Sequence, residues 1–290
     1  MKPTTMLVAT LTLLAGGAHA ADEYRWELGL GYTVATADTD LEPEATELSG
    51  RVRYHLLAPV SLANGPWEES EFLEHSTWLE AHAGRATLEA GAFEADGPTY
   101  GAAGRYAAKD VPVAVDGAIA WRSVEDDDSE ATLDAFSWQA RAGYWIMPNL
   151  IAGLGYSSIT NEFEAEFDST STTDTALFAW GKWVHPLRAD LDLNLEAEAG
   201  QIWYDDEDGE NLTATLEADL YVLKRYGIGL LVGTESGDVA ESEGDTLGVQ
   251  ASAWLTEHIG LRAGYSTFAA SDEEEGADLD AYFGELVARF

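Results

Sequence analysis

The chain has 290 residues with 53 Asp and Glu against 15 Lys and Arg, a formal charge of -38, and no cysteine. That balance argues against a nucleic-acid partner, which needs clustered cations to meet phosphates. The missing thiols remove disulfides, thiolate metal sites and cysteine nucleophiles together, while the acidic surplus suits soluble loops, attraction of cations or a salty habitat.

The chain opens with Met1-Lys2-Pro3, an apolar run from Met6 to Ala15 and a small-residue stretch ending at Ala20. A charged start, a short apolar region and an A-x-A site describe a secretory signal over residues 1–20, cleaved after Ala20. No later stretch approaches the roughly 18 apolar residues of a transmembrane helix, so any membrane span must be β. Residues 21–290 are large for one soluble domain but ordinary for one barrel.

The first expected strand, Tyr24 to about Thr36, sets Tyr24, Trp26, Leu28, Leu30, Tyr32 and Val34 against Arg25, Glu27, Gly29, Gly31 and Thr33. The second, Glu47 to Leu57, sets Leu48, Val52, Tyr54 and Leu56 against Ser49, Arg51, Arg53 and His55. Pro59, Asn64-Gly65-Pro66 and Trp67-Glu68-Glu69-Ser70-Glu71-Phe72-Leu73 then break the alternation. They predict a long connection holding one helical turn, capped through Gly65 and Pro66. Strand three covers residues 77–93, with a bulge expected near Gly84-Arg85, and strands four and five cover 99–107 and 113–124. Strand six carries Phe136, Trp138, Ala140, Ala142 and Tyr144, strand seven spans 150–159, and a polar loop, Thr160 to Asp174, precedes strand eight at 175–183.

The ninth and tenth strands have the clearest pattern. Leu187, Ala189, Leu191, Leu193, Leu195, Ala197 and Ala199 alternate with Arg188, Asp190, Asp192, Asn194, Glu196 and Glu198. After Asp205 to Glu210, Leu212, Ala214, Leu216, Ala218, Leu220 and Val222 alternate with Thr213, Thr215, Glu217, Asp219 and Tyr221. Strict alternation places one set on each face of a strand, whereas a helix would scatter the carboxylates. Globular strands hold about 5–6 residues and membrane strands about 9–11, so runs this long favour the membrane. Strands eleven to fourteen cover 226–234, 245–255, 259–268 and 279–290.

The expected fold is therefore all-β, a transmembrane antiparallel up-and-down barrel of about 14 strands, with 12 or 16 as neighbouring counts. Three features agree. Prolines 43, 59, 66, 98, 112, 148 and 186 all fall in proposed connections, as residues unable to donate to a ladder should. Acidic connections alternate with tight turns, and the strand count is even, as in bacterial barrels.

The chain ends Tyr282-Phe283-Gly284-Glu285-Leu286-Val287-Ala288-Arg289-Phe290. A terminal Phe290 closing an alternating strand resembles the C-terminal signature by which bacterial outer-membrane barrels are recognised for assembly, with Ala288 where an aromatic is common. The connection Leu57-Ala58-Pro59-Val60, Gly65-Pro66 and Glu71-Phe72-Leu73-Glu74 is similar to one in general porins of gammaproteobacteria. At the level of the barrel, over residues 21–290, the resemblance implies a porin, a diffusion channel in the outer membrane of a Gram-negative cell, with no catalytic residues, metal or cofactor to carry over. Its expected partners are outer-membrane lipid and lipopolysaccharide, the barrel assembly machinery through the last strand, small hydrophilic solutes and cations; a homotrimer is one assembly of that class.

In such a barrel the polar positions line the pore. Arg25, Arg51, Arg53, Arg105, Arg122 and Arg141 form a basic wall on early strands; Asp190, Asp192, Glu196, Glu198, Glu217 and Asp219 form an acidic wall on strands nine and ten. Opposed walls imply a transverse field that orients dipolar solutes, or else ions paired with lumen neighbours. Acidic loops at the outer mouth imply mild cation preference. Asp205-Asp206-Glu207-Asp208-Gly209 lacks the spacing of a calcium loop. Rival readings are an outer-membrane lipase or protease, for which His55, His75, His82, His185 and His258 are the available bases without any G-x-S-x-G, a surface barrel without an open pore, and a secreted acidic β protein.

Overall fold

A computed structural model describes residues 23–38, 43–91, 93–108, 110–126, 131–165, 168–205, 209–239, 243–271 and 278–290. The expected signal sequence and the centres of the acidic connections lie outside them.

The elements are β1 (Glu23–Tyr24), β2 (Trp26–Asp38), β3 (Glu44–His55), β4 (Val60–Ser61), a short helix α1 (Ser70–Leu73), β5 (Trp78–Ala90), β6 (Phe93–Ala108), β7 (Val111–Asp126) and β8 (Thr132–Met147). There follow β9 (Leu150–Ala165), β10 (Asp168–Arg188), β11 (Leu191–Tyr204), β12 (Gly209–Val222), β13 (Tyr226–Gly237), β14 (Gly244–Trp254), β15 (Ile259–Ala270) and β16 (Asp278–Arg289). Every pairing is antiparallel: β1 and β4 pair with each other, and each of the remaining strands pairs with two neighbours. β16 closes onto β2, giving a closed barrel of 14 strands.

Alternation in the sequence becomes inside and outside. Leu212 and Leu216 of β12 are 63% and 45% exposed, while Asn211, Asp219 and Tyr221 between them in phase are buried. Leu193 is in register with Leu220, and Leu191 with Val222, on the same outer face. A continuous apolar outer surface is stable only against lipid tails, and polar backbone groups survive there only because the ladder closes on itself. Leu216→Arg should cost about 2–4 kcal/mol, as cations on the lipid face of barrels do near the midplane. Urea unfolding in vesicles measures it, with Thr215→Arg, one residue away on the inner face, as the tolerated comparison.

Several expectations need correction. Pro98, Pro112 and Pro186 lie inside strands. Each sits where a ladder is already interrupted: pairing of β6 with β7 skips from Asp96 to Thr99, and the register shifts between Ala107 and Ala108 and between Pro186 and Arg188. A residue without an N–H costs nothing where no partner waits for it. The residue before Pro98 is Gly97, where an added Cβ would meet the Ser123 carbonyl oxygen at 1.8 Å; only glycine lets β7 approach this closely.

Residues 160–165 and 168–174, expected as loop, are strand. β9 and β10 pair from Ile159 and Asp174 onward to Ala165 and Asp168, so this hairpin extends further than polarity suggested; a Thr- and Ser-rich run with both faces wet keeps its ladder without an apolar stripe. The bulge expected at Gly84-Arg85 is absent, since both ladders of β5 run through these residues without a shift. Tyr24 departs from the outer face that alternation assigned it. The chain bends at Arg25, and Tyr24 turns inward, 2% exposed.

The long connection, residues 56–77, folds into the barrel at the end that holds the tight turns, Glu23 and Phe290. Its β4 pairs with β1. Lys224 Nζ of the β12–β13 turn donates to the Ala63 carbonyl at 2.8 Å, the Trp67 N–H donates to the Lys224 carbonyl at 2.9 Å, and His75 Nε2 lies 2.9 Å from the Pro148 carbonyl of the β8–β9 turn. Two apolar clusters seal it. One joins Tyr24, Val60, Leu62 and Trp67 to Trp254 and Val287; the other joins Phe72 to Trp145, Ile151, Phe178, Trp180 and Val184. This connection is a plug.

Candidate functional site

The site is the lumen, and the plug shapes it. Glu68, Glu69 and Glu71 stand on or beside the single turn of α1, where successive residues point about 100° apart, so three carboxylates radiate from one short segment. Glu68 pairs with Arg262 of β15, Glu69 with Lys182 of β10 at 2.9 Å and Glu71 with Arg53 of β3 at 2.5 Å. Around the ring, four, two and five other strands lie between these three, so the plug is bolted to three sides of the barrel.

The two bolts nearest the helix respond to pH in opposite ways. Burial pushes the Glu69 carboxyl above its ordinary range despite Lys182. Glu71 is equally buried, but the Arg53 guanidinium overcomes desolvation and holds it at about 2. A carboxyl depressed from 4.5 to about 2 contributes stability that is complete above 4.5 and lost as pH falls toward 2. Glu69, raised, acts with the opposite sign, so its share declines as pH rises above 4.5. Glu71→Gln should therefore flatten the acid limb of the stability curve between pH 4.5 and 2, measured by tryptophan fluorescence during urea unfolding in micelles.

Of the basic positions expected from sequence, Arg51, Arg53, Arg105, Arg122 and Arg141 lie on β3, β6, β7 and β8. They do not form a bare positive wall. Arg51 reaches Glu27 at 2.7 Å, Glu285 at 2.6 Å and Glu80 at 3.3 Å; Arg53 reaches Glu80 at 2.7 Å as well as Glu71. Arg105 pairs with Asp116, Arg122 reaches Glu47 at 3.1 Å, and Arg141 lies over the Trp180 ring at 4.9 Å. Arg25 is in the bend before β2, half-buried at the rim.

The acidic positions divide differently. Asp190 is exposed in the β10–β11 turn, outside the lumen, because β11 starts one residue later. Asp192 is buried near the same end, 6% exposed. Glu196 reaches Lys182 at 3.2 Å. Glu217 and Asp219 lie within hydrogen-bonding reach of each other, and their other partners are neutral amides: Gln250 Nε2 donates to Glu217 Oε1 at 2.6 Å and Asp219 Oδ1 at 2.7 Å, and Asn194 Nδ2 donates to Asp219 Oδ2 at 3.0 Å.

A cavity of about 330 Å³ lies against the inner side of the plug, lined by its three glutamates together with Lys182, Arg262, Glu217, Asp219 and Tyr221. A second of about 370 Å³, lined by Ser49, Arg51, Glu80, His82 and Phe283, adjoins β2, β3 and β5. Sequence reasoning missed Glu27, Glu80, Lys182, Arg262 and Glu285, all of which share the inward phase of their strands. The acidic run Glu68-Glu69-Ser70-Glu71, inserted where every other connection at that end is tight, was the readable signal for the plug.

A serine, an imidazole and a carboxylate do come into a row. His55 Nδ1 lies 2.7 Å from Ser76 Oγ, and His55 Nε2 lies 3.4 Å from Glu71 Oε1, too long for a good hydrogen bond. His55 is fully buried, Ser76 is 8% exposed, and neither lines the two cavities above. The row fastens the plug to β3 rather than facing a substrate space.

Neither a family model nor a curated protein sequence matches this chain. Solved structures do. The Acinetobacter baumannii outer membrane protein Omp33 is 17% identical at a TM-score of 0.59, covering 93% of this chain and 100% of its own. A deltaS2S3 mutant of the TodX monoaromatic hydrocarbon channel is 8% identical at 0.54, covering 93% and 91%. A bacterial polysaccharide outer membrane secretin is 12% identical at 0.51, covering 94% and 100%. Sequence identity this low carries the fold and nothing finer: the chain has the closed-barrel fold of outer-membrane channel proteins.

Proposed function

We propose that this protein is an outer-membrane channel for passive diffusion of small hydrophilic solutes and ions, mildly cation-preferring. The reading rests on one observation above all, a 14-stranded closed barrel whose inward side chains are charged and enclose polar cavities. A ring this wide is not filled by its own side chains, and here an inserted segment narrows one end. The cation preference follows from the charge pattern: Arg51, Arg53, Arg105 and Arg122 carry acidic partners, whereas Glu217 and Asp219 carry none that is basic among the described residues. The N-terminal signal delivers the chain across the inner membrane, Phe290 presents the last strand for assembly, and lipid and lipopolysaccharide surround the product.

Liposome swelling tests the size limit. Vesicles holding the purified protein should swell rapidly in a pentose and slowly in a trisaccharide. Equal, background rates for both favour a second reading, a surface barrel that the plug keeps shut; the three ion-pair bolts are the observation on its side.

A further inference from the structure

The pair Glu217 and Asp219 is the least explained feature of the lumen. Two residues apart on β12, they point the same way, and one carboxylate oxygen of each accepts from the same amide nitrogen, Gln250 Nε2, at 2.6 and 2.7 Å. Two carboxyl groups this close cannot both stay ionised on a low-dielectric wall unless something positive lies beside them; otherwise they share a proton. Every other ion pair reported above supplies that positive group from the protein. Here, among the described residues, no Lys or Arg nitrogen lies within salt-bridge distance of either.

A second observation is independent of the acidic pair. Asn194 is 1% exposed and lines the same cavity; its Nδ2 is used on Asp219, and its Oδ1 is buried without a partner. An unpartnered buried acceptor has its desolvation uncompensated and is free to accept from a donor. On β13, Gly229 faces Asp219, and an added Cβ there would meet Asp219 Oδ1 at 2.0 Å. Glycine here makes the room that the Asp219 carboxylate and the Gln250 amide occupy.

We infer that Glu217, Asp219 and Asn194 form a lumenal station for the guanidinium or primary ammonium head of an organic cation. The inference rests on the water-filled lumen proposed above and names its solute class. A guanidinium fork presents several N–H donors in one plane and meets two adjacent carboxylates bidentately. Asn194 Oδ1 accepts a further N–H, while Tyr221 and the half-exposed Phe283 ring line the same cavity and suit the carbon-bearing remainder. A bare divalent cation fits less well, because hard cations gather six to eight oxygens and the described residues hold no cluster of three His, Cys, Asp or Glu suited to a metal.

Isothermal titration of the full-length protein in detergent micelles with methylguanidinium chloride tests this directly, with calcium chloride as a parallel titrant. Saturable methylguanidinium binding that weakens about tenfold or more in the Glu217→Gln, Asp219→Asn double variant supports the station. Gly229→Ala, which keeps both carboxylates but crowds Asp219, should weaken it too and guards against a folding defect in the double variant. Absent binding to the wild type, equal affinity in all three proteins, or binding of calcium alone overturns the inference. Binding is read without any current, so a station that binds in a protein that does not conduct sinks the channel reading and not this one.

Discussion

Replacing residues 58–75 by an Asn-Gly turn should raise single-channel conductance on the order of threefold, because the plug is the main obstruction in a barrel otherwise wide enough for a water path. The replacement is geometrically mild. The Leu56 N–H already donates to the Thr77 carbonyl at 2.9 Å, and His55 pairs with Trp78, so the ends of β3 and β5 are neighbours without the plug. Asn-Gly suits a two-residue hairpin turn. The same change removes Glu68, Glu69 and Glu71 while leaving Arg262, Lys182 and Arg53 on the wall, so ion selectivity should move toward anions. Barrel pairing should survive, since none of the 14 strands is lost, though Trp254, Val287 and Trp145 lose apolar cover and the melting temperature should fall. A smaller test leaves the plug in place: Glu68, Glu69 and Glu71 changed together to Gln should give noisier current, as three bolts loosen while the apolar clusters hold.

The second large effect is expected at Glu27. Its carboxylate and the Arg289 guanidinium are each 1% exposed, with Arg289 Nε donating to Glu27 Oε2 at 2.7 Å and Nη1 to the Trp67 carbonyl at 2.6 Å. Arg289 is also sandwiched, 3.9 Å from the Trp254 ring and 4.5 Å from the Tyr24 ring. This knot ties β16, β2 and the plug at the seam that closes the barrel. Glu27→Ala strands a buried guanidinium and should cost about 3–5 kcal/mol, as breaking one side of a buried pair does. Arg289→Met should cost less, because Glu27 keeps Arg51 at 2.7 Å and methionine fills the slot between the rings. Urea unfolding in micelles, followed by tryptophan fluorescence, compares the two. Equal, small losses would mean that the seam is held by its ladder alone.

The barrel was legible because a lipid-facing wall imposes a period of two on every strand, and Leu191 to Val222 carries that period through two strands in succession. What the period does not carry is which inward residue meets which. Arg51 reaches Glu285 across 234 positions of sequence, and that pairing depends on closure of β16 onto β2, not on any local pattern. The sequence left open whether the inward arginines form a charged wall or pair with lumen neighbours, because the acids that Arg51, Arg53, Arg105 and Arg122 reach lie on other strands or in the plug. Pro98, Pro112 and Pro186 misled for a related reason, since interruptions in a ladder are set by the neighbouring strand. The plug had a sequence signal in its length and its glutamates. Its direction, into the lumen rather than away from it, is decided by Trp67 and Phe72, whose partners come from β14 and from β8 to β10.

Planar-bilayer recording of the wild-type protein under a potassium chloride gradient tests the central claim most directly. A plugged but water-filled barrel predicts discrete conductance steps, small for a 14-stranded ring, with a reversal potential of the sign set by cations. Protein that inserts as a heat-modifiable barrel yet gives no steps at any voltage would contradict it.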